Sequence, residues 1–230
     1  MPHGISSDNR TGKERVRIGI VGGTGKEGSG LGVRWAAAGH EVLIGSRDPE
    51  RARGKAADLA ARAPAARVSG MSNVDAVRAS DVVVLAVPAS GLRTTLPDVK
   101  DACRGKVVIS AVVPLTFGGG RLFTPPPQGS SAEEAQEILG PEARVVAAFH
   151  HIAAHELEGG DHPIECDLLL CGGDAEAKKV VTELGASLGL RAVDAGPLTN
   201  AGPLEGITAV LATINRRYKL KNSGIKITGL

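Results

Sequence analysis

Three glycines near the start of the chain have the spacing of a dinucleotide-binding loop. The stretch GIVGGTGKEGSG places Gly23, Gly25 and Gly28 in the pattern G-x-G-x-x-G, between an apolar run and a helical one. We expect Gly23 to permit the tight turn, Gly25 to let the backbone approach a pyrophosphate, and Gly28 to allow close packing of helix on strand. The other candidates in this loop are Thr24, Lys26 and Glu27. The free N–H groups at the start of the helix would bind the phosphates.

The next apolar run, EVLIG, ends in a hydroxyl and a guanidinium, Ser46 and Arg47. Folds specific for NAD place a carboxylate at this point, where it accepts hydrogen bonds from the ribose hydroxyls. A guanidinium fork matches phosphate oxygens instead, and Arg51 follows one helical turn later. The pattern predicts a pocket for the 2′-phosphate of NADP(H). The alternative is that both arginines pair with Asp48 and Glu50 on a solvated helix start.

Further candidates lie where later apolar runs end. The run DVVVLAV is followed by Pro88, which has no N–H and marks the point where the chain leaves the sheet. In open α/β sheets, ligands bind outside the carboxyl ends of the strands. We therefore expect Val87, Pro88 and Ala89 to line the nicotinamide ribose, and we include Val113, at the end of the next run, among the cofactor-binding residues.

These residues need a scaffold of alternating strands and helices, which the sequence predicts. Apolar runs at 16–21, 41–45, 66–70, 81–87, 106–113 and 143–149 alternate with predicted helices at 28–39, 49–62, 73–79, 89–101 and 131–139. Such alternation is typical of a Rossmann-type, doubly wound parallel sheet of the α/β class. We expect a disordered tail over 1–15, the NADP-binding domain over 16–155, and a small C-terminal α/β domain over 156–230, with helices near 174–189 and 203–218. The proline-rich stretch 118–131 is predicted to be a loop near the site.

Composition excludes several classes of protein. A net charge of +2 and few aromatic residues argue against binding of nucleic acid. No run of eighteen apolar residues is free of charge, so we expect no membrane span. The three cysteines match no metal or redox spacing and are predicted to be buried thiols of a reducing compartment, the cytoplasm.

Several fragments together resemble one family. They are GGTGKEGSGLG, GSRDPERA, GMSNVDAVRASDVVVLAVP, VVAAFHHIAA, CGGDAEAKKVV, DAGPLTNA and GIKITGL, in order from Arg17 to Leu230. The chain resembles the NADPH-dependent reductases of coenzyme F420, an 8-hydroxy-5-deazaflavin. The resemblance implies reversible hydride transfer between NADP(H) and the deazaflavin, in a homodimer whose C-terminal domain covers the cleft between the two rings. Both partners are hydride carriers, so no nucleophile or metal is required.

The resemblance also implies two central residues, His150 and Ile152, beside the rings. Ile152 would press on the nicotinamide, and His150 would bond a deazaflavin carbonyl or the nicotinamide amide. Without the resemblance, a histidine after a buried strand is more often a core residue. A metal site formed by His150, His151, His155 and His162 is disfavoured, because Glu156 is misplaced for an H-E-x-x-H motif.

The segment DAGPLTNAGPLEGIT departs from the family pattern. Relatives often carry a larger polar or cationic residue at the position of Gly202, and Gly206 lacks a hydroxyl. Leu198, Asn200 and Thr208 remain as cofactor-binding candidates. The departure puts the docking of the deazaflavin in doubt, more than it does the NADP site.

Two other functions stay open. One is NADPH-dependent reduction of a different acceptor, such as ferric or cupric ion, flavin or an imine. The other is a non-enzymatic NADPH-sensing module, because a fold and a cofactor site do not establish turnover.

Overall fold

A sheet of eight strands forms the framework of the protein, which we describe from a computed structural model covering residues 15–62, 66–118, 120–159 and 162–230. The strand order is β3-β2-β1-β4-β5-β6-β7-β8. The strands are β1 Arg17–Val21, β2 Glu41–Ser46, β3 Arg67–Ser72, β4 Val82–Leu85, β5 Val107–Ser110, β6 Arg144–Ala147, β7 Asp167–Gly172 and β8 Arg191–Asp194. The first six are parallel to one another, which confirms the predicted doubly wound sheet.

The direction of the sheet reverses once, at β7. This strand pairs antiparallel with β6, and β8 then pairs parallel with β7. The C-terminal residues therefore extend the same sheet, and the predicted boundary at 155/156 falls inside a helix. The division into two domains stays a prediction, and so does the disordered tail, which lies outside the described residues except for residue 15.

Eight helices lie on the two faces of the sheet within the described residues. They are α1 Lys26–Ala37, α2 Pro49–Arg62, α3 Asn73–Ala79, α4 Leu92–Val99, α5 Ser131–Leu139, α6 Ala154–Glu158, α7 Ala175–Ser187 and α8 Ala201–Tyr218. The single helix predicted over 89–101 is wrong: a 3-10 turn at Ala89–Gly91 precedes α4, and another at Asp101–Cys103 follows it. Pro97 has no N–H for the helical ladder, which weakens a longer helix here.

Two apolar cores lie on opposite faces of the sheet. Alternate residues of β4 point into different cores, because Val82 and Val84 belong to one and Val83 and Leu85 to the other. Strand β7 divides in the same way, so the C-terminal strands share both cores with the first six. Burial of this kind explains the β-branched runs that predicted the strands.

The three cysteines are buried, as predicted. Burial raises the pKa of the Cys103 and Cys166 thiols to about 11 and that of Cys171 to about 12. Thiols with such pKa values are poor nucleophiles at neutral pH. Separately, within the described ranges no helix is both long enough and apolar enough to cross a bilayer.

Candidate functional site

The glycine loop joins β1 to α1, and the glycine that makes its tight turn is not the predicted one. The residue with left-handed backbone is Gly22, at a φ of 77°, not Gly23. A Cβ on Gly22 would lie 2.7 Å from Val87 Cγ1. Gly23 instead ties the loop to the end of β2, since its N–H donates to the Gly45 carbonyl at 3.0 Å. The tight turn therefore belongs to the first glycine of the Gly-Gly pair.

The other two glycines have the geometry that the spacing predicts. A Cβ on Gly28 would lie 2.8 Å from Gly23 Cα, so only glycine lets α1 approach the loop so closely. A Cβ on Gly25 would meet nothing closer than the Gly22 carbonyl oxygen, at 3.6 Å, so its outer side faces open space. Gly25 also begins α1 without a side-chain cap, which leaves the N–H groups of the first turn available to an anion.

A cleft of about 660 Å³ opens above this loop, at the carboxyl ends of β1, β2 and β4. Seven of the predicted residues line it: Thr24, Gly25, Ser46, Arg47, Arg51, Val87 and Pro88. Ala89 begins the 3-10 turn whose Ser90 and Gly91 also line it. Sequence reasoning missed Asn73, Thr94 and Thr95 in the same wall. The cleft collects most of the predicted dinucleotide site in one place.

Arg47 and Arg51, at the end of β2, form the cationic end of this cleft. Asp48 accepts hydrogen bonds from the N–H groups of Glu50 and Arg51, at 3.0 and 3.3 Å, and so caps the start of α2. Glu50 pairs with Arg53 one turn later. Arg47 and Arg51 are exposed and form no ion pair with any described residue. The alternative in which Asp48 and Glu50 neutralise the two arginines is therefore wrong for this structure.

Glu27 lies in the first turn of α1, near where a pyrophosphate would bind. Although part of the residue reaches solvent, its Oε1 is enclosed and accepts no hydrogen bond from the described residues. Burial raises the pKa of this carboxyl to about 8. The protonated form therefore prevails at neutral pH, and Glu27 adds little negative charge to the phosphate loop. Lys26 beside it is exposed.

The predicted His150 follows β6 in an unusual backbone turn. Phe149 has a φ of 68°, a left-handed conformation that non-glycine residues seldom adopt. Its ring packs edge-on against Trp35 of α1, with ring centroids 5.2 Å apart. Thr208 of α8 donates its hydroxyl to the His150 carbonyl at 3.0 Å. The backbone of His150 is thus held by α1 on one side and by α8 on the other.

The His150 ring is buried. The residue is only 4% exposed, and neither ring nitrogen makes a hydrogen bond within the described structure. Burial, helped by the neighbouring His151, lowers the pKa of the ring to about 3, although the Ala148 and Leu204 carbonyls partly oppose this shift. The imidazole is therefore neutral near pH 7, with one nitrogen that can donate, one that can accept, and the Ala148 and Leu204 carbonyls close by.

The remaining predicted residues do not line the cleft. Ile152 is buried in the same core as Trp35 and Phe149, and it borders a separate cavity of about 140 Å³. Asn200 donates its side-chain amide to the Ala195 carbonyl, and Leu198 packs against the other core. Thr208 is occupied by His150, and Val113 lies three residues beyond β5. These side chains are thus placed by packing, apart from the dinucleotide loop.

The structure explains one of the two unexpected glycines of α8, Gly202, by what lies against it. A Cβ on Gly202 would lie 2.7 Å from the Gly129 carbonyl oxygen, and a Cβ on Gly206 would lie 3.6 Å from the Phe123 ring. Backbone and ring of the proline-rich stretch therefore occupy the space beside α8. The described residues of this stretch before α5 are irregular, as predicted, apart from a bridge between Leu115 and Phe123.

Glu205 fastens this stretch to α8 and was not anticipated from the sequence. Its side chain is buried, and its two oxygens accept hydrogen bonds from the N–H groups of Ser131 and Ala132, each at 3.0 Å. Burial raises the pKa of the carboxyl to about 7, while these two bonds oppose the shift. The side chain joins α8 to the first turn of α5.

The candidate histidines do not form a metal site. His151 Nε2 lies 2.9 Å from the Asp167 carbonyl oxygen and 3.3 Å from the Leu169 nitrogen. His162 Nε2 lies 2.9 Å from the Glu156 carboxylate. The buried Arg34 holds this segment, because its guanidinium donates to the carbonyls of residues 156, 157 and 162. Among the described residues, no group of three or more metal-binding side chains lies close enough to hold an ion.

Comparison with known proteins identifies the family. Residues 17–114 match the family model described as NADP oxidoreductase, coenzyme F420-dependent. The chain is 41% identical to the F420-dependent NADP reductase of Methanocaldococcus jannaschii, over 94% of this chain and 99% of that protein. It is 40% identical to the enzyme of the same name from Methanothermobacter thermautotrophicus, over 94% of this chain and 96% of that one.

A solved structure agrees in fold. A protein from Arthrobacter sp. FB24, provisionally named an F420-dependent NADP reductase, superposes with a TM-score of 0.78 at 27% identity, over 93% of this chain and all of that one. The similarity extends over nearly the full length of each protein. The chain therefore belongs to the family of coenzyme F420-dependent NADP oxidoreductases.

Proposed function

We propose that this protein is an oxidoreductase that transfers hydride reversibly between NADP(H) and coenzyme F420. The family provides the reaction, and one structural observation carries the choice of nucleotide. At the end of β2, Ser46, Arg47 and Arg51 border the cleft, and neither arginine forms an ion pair with a described residue. A phosphate on the ribose would be bound there, whereas the carboxylate of an NAD-specific site would repel it.

The rest of the cleft fits a dinucleotide. The uncapped first turn of α1 directs N–H groups at an anion, and Gly25 leaves the backbone open to it. The pKa of Glu27, raised by burial, keeps a negative charge away from the pyrophosphate. Val87 and Pro88 extend the cleft along the end of β4, toward the position proposed for the nicotinamide ribose.

For the second coenzyme, the candidate contact is His150. Its two buried ring nitrogens could hydrogen-bond a ring carbonyl or an amide. When bound, the two coenzymes supply the hydride donor and acceptor, so the protein's task is to hold them in register and exclude water. We propose that the neutral His150 ring hydrogen-bonds one of them and that Ile152 limits how far the rings separate. Leu198, Asn200 and Val113 would bound the same space, and Thr208 would act by holding His150 in place.

We also propose how the protein assembles and where it works in the cell. We propose a homodimer, which the resemblance implies and which would cover the exposed Val210 and Tyr218 of α8. We propose that residues 156–230 cover the cleft, and that the protein works in the cytoplasm, where its three free thiols would stay reduced. Light scattering on a sizing column tests the dimer: a monomer at micromolar concentration would contradict it.

The reaction is tested by mixing the purified protein with NADPH and oxidised F420 and recording the visible band of the oxidised deazaflavin. We expect the band to disappear with one NADPH oxidised per F420 reduced, and the reverse reaction to proceed from reduced F420 and NADP+. Retention of the band together with turnover of ferric ion, flavin or an imine would identify a different acceptor. Binding of NADPH without turnover of any acceptor would identify a sensor.

A further inference from the structure

Asn73 stands beside the cationic end of the cleft, although it belongs to neither motif found in the sequence. Strand β3 pairs with β2 so that Ser72 is the register partner of Ser46. Asn73 therefore begins α3 at the point where Arg47 leaves β2, and it lines the same cleft. The residue that follows a third strand, β3, thus reaches the proposed phosphate pocket.

The oxygen of the Asn73 side chain is committed to the glycine loop. Its Oδ1 accepts a hydrogen bond from the N–H of Gly22, at 3.3 Å. A Cβ on Gly45 would lie 2.9 Å from the same oxygen, so the amide packs directly against the end of β2. Because an N–H requires an acceptor, this contact fixes which end of the amide is oxygen.

The amide nitrogen is left for a ligand. The residue is 7% exposed, so most of its surface is covered by protein. Nevertheless, Nδ2 bonds no described residue and is not among the enclosed, unbonded atoms of the described structure. The nitrogen is therefore accessible from the cleft that Asn73 lines. Nδ2 can only donate, and the neighbouring Ser46, Arg47 and Arg51 favour an anionic ligand.

We propose that Asn73 is a specificity-determining residue that holds Gly22 through Oδ1 and donates through Nδ2 to the 2′-phosphate of NADP(H). The inference rests on the proposed function, because it assigns a contact to the same nucleotide. It joins the turn that positions the pyrophosphate to the group that distinguishes NADP from NAD. A single amide would thus couple binding of one phosphate to placement of the other.

The sharpest test is Asn73→Asp, which changes one atom of nearly equal size. The carboxylate still accepts from Gly22, but it places a negative charge where the donor was. Because the 2′-phosphate carries about two negative charges, we expect the Kd for NADPH to rise about 100-fold or more. The Kd for NADH should change less than about threefold, since a carboxylate accepts from ribose hydroxyls. Isothermal titration calorimetry with each nucleotide measures both.

Asn222→Asp is the matched control, since it makes the same chemical change at an exposed residue that does not line the cleft. We expect its NADPH to NADH preference to equal that of the unmodified protein. An Asn73→Asp protein that keeps the full preference for NADPH would overturn the inference while leaving the proposed function intact. If the unmodified protein itself fails to bind NADPH, the proposed function fails.

Asn73→Ala provides a second test if the aspartate variant does not fold. Loss of the Gly22 contact should weaken both nucleotides alike, whereas loss of Nδ2 should weaken NADPH alone. We therefore expect the ratio of the two Kd values to shift about tenfold or more against NADPH. An equal loss for both nucleotides would mean that Asn73 only supports the loop, and it would overturn the inference.

Discussion

At the carboxyl end of β2, cationic side chains reach solvent with no ion pair to a described residue, whereas several polar side chains beyond β6 are buried. Arg47 and Arg51 exemplify the first region, and His150 and Glu205 the second. In the first region Asp48 caps α2 and Glu50 pairs with Arg53, and neither forms an ion pair with Arg47 or Arg51. In the second region, Glu205 accepts hydrogen bonds from the N–H groups at the start of α5, and the His150 ring is buried.

This difference bears on how easily a ligand can reach each of the two regions. A nucleotide phosphate can reach the open end without any change in the protein, because its donors are already exposed. The ring nitrogens of His150 are enclosed, so a ligand could bond them only if the residues that cover them moved. The open end is therefore preformed for an anion, whereas any ligand that bonds the buried His150 ring would first require the residues that cover it to move.

Arg47→Ala should weaken nucleotide binding strongly, with an effect confined to the open end. A charge-assisted hydrogen bond contributes about 1.5–3 kcal/mol, so we expect the Kd for NADPH to rise about 10-fold to 150-fold. NADH has no 2′-phosphate, and its Kd should scarcely change. Calorimetric titration of both nucleotides checks this. Equal losses would show that Arg47 does not contact the extra phosphate.

The open end was largely predictable because its signals are local. The glycines are three and two residues apart, and Ser46 and Arg47 follow directly from the end of a strand. Several features of the cleft escaped, and two of them have a clear physical reason. The pair Gly22 and Gly23 offers two positions for a left-handed turn, and spacing alone cannot choose between them. Asn73 reaches the cleft only because β3 pairs with β2, which no local pattern encodes.

His150→Phe should produce a smaller effect, on stability and confined to the closed end. In the unfolded chain this histidine gains a proton below its ordinary pKa of 6.5, but in the folded protein only near pH 3. The unfolded state therefore binds more protons between these values, and stability is lost as the pH falls through 6.5. At pH 5 the loss is about 2 kcal/mol, and phenylalanine removes it.

Urea denaturation of both proteins at pH 7.5 and pH 5 measures this difference. We expect the free energy of unfolding of the variant, relative to the unmodified protein, to improve by about 2 kcal/mol between the two pH values. A difference that does not vary with pH would mean that the ring is accessible to protons in the folded state. That result would place His150 in the open region and remove the contrast.

The closed end was predictable only in outline. The resemblance identified His150 and Thr208, but it gave Thr208 a cofactor role, whereas the structure shows it bonded to the His150 carbonyl. Glu205 caps a helix 74 residues before it in the chain, and Phe123 covers Gly206 from an irregular stretch. Such contacts depend on how distant segments pack, and no periodicity of the sequence announces them.

Two glycine substitutions on α8 should have the smallest effects and opposite signs. Gly206→Ala adds a methyl at an ordinary contact distance, 3.6 Å from the Phe123 ring, in the interior of the helix. Alanine should stabilise the protein there by about 0.5–1 kcal/mol. Gly202→Ala forces a methyl to within 2.7 Å of the Gly129 carbonyl oxygen, in backbone that must move to relieve the contact. Overpacking should outweigh the helical gain and leave a net cost of about 1 kcal/mol.

Thermal and urea unfolding of the two variants decide whether α8 is closely covered. If both alanines stabilise the protein, the proline-rich stretch does not lie against Gly202, and the second region is as open as the first. If they differ in sign, the glycine at 202 is required by the backbone opposite it. The departure from the family pattern would then be a consequence of packing, and a larger residue there would need a different path for residues 118–131.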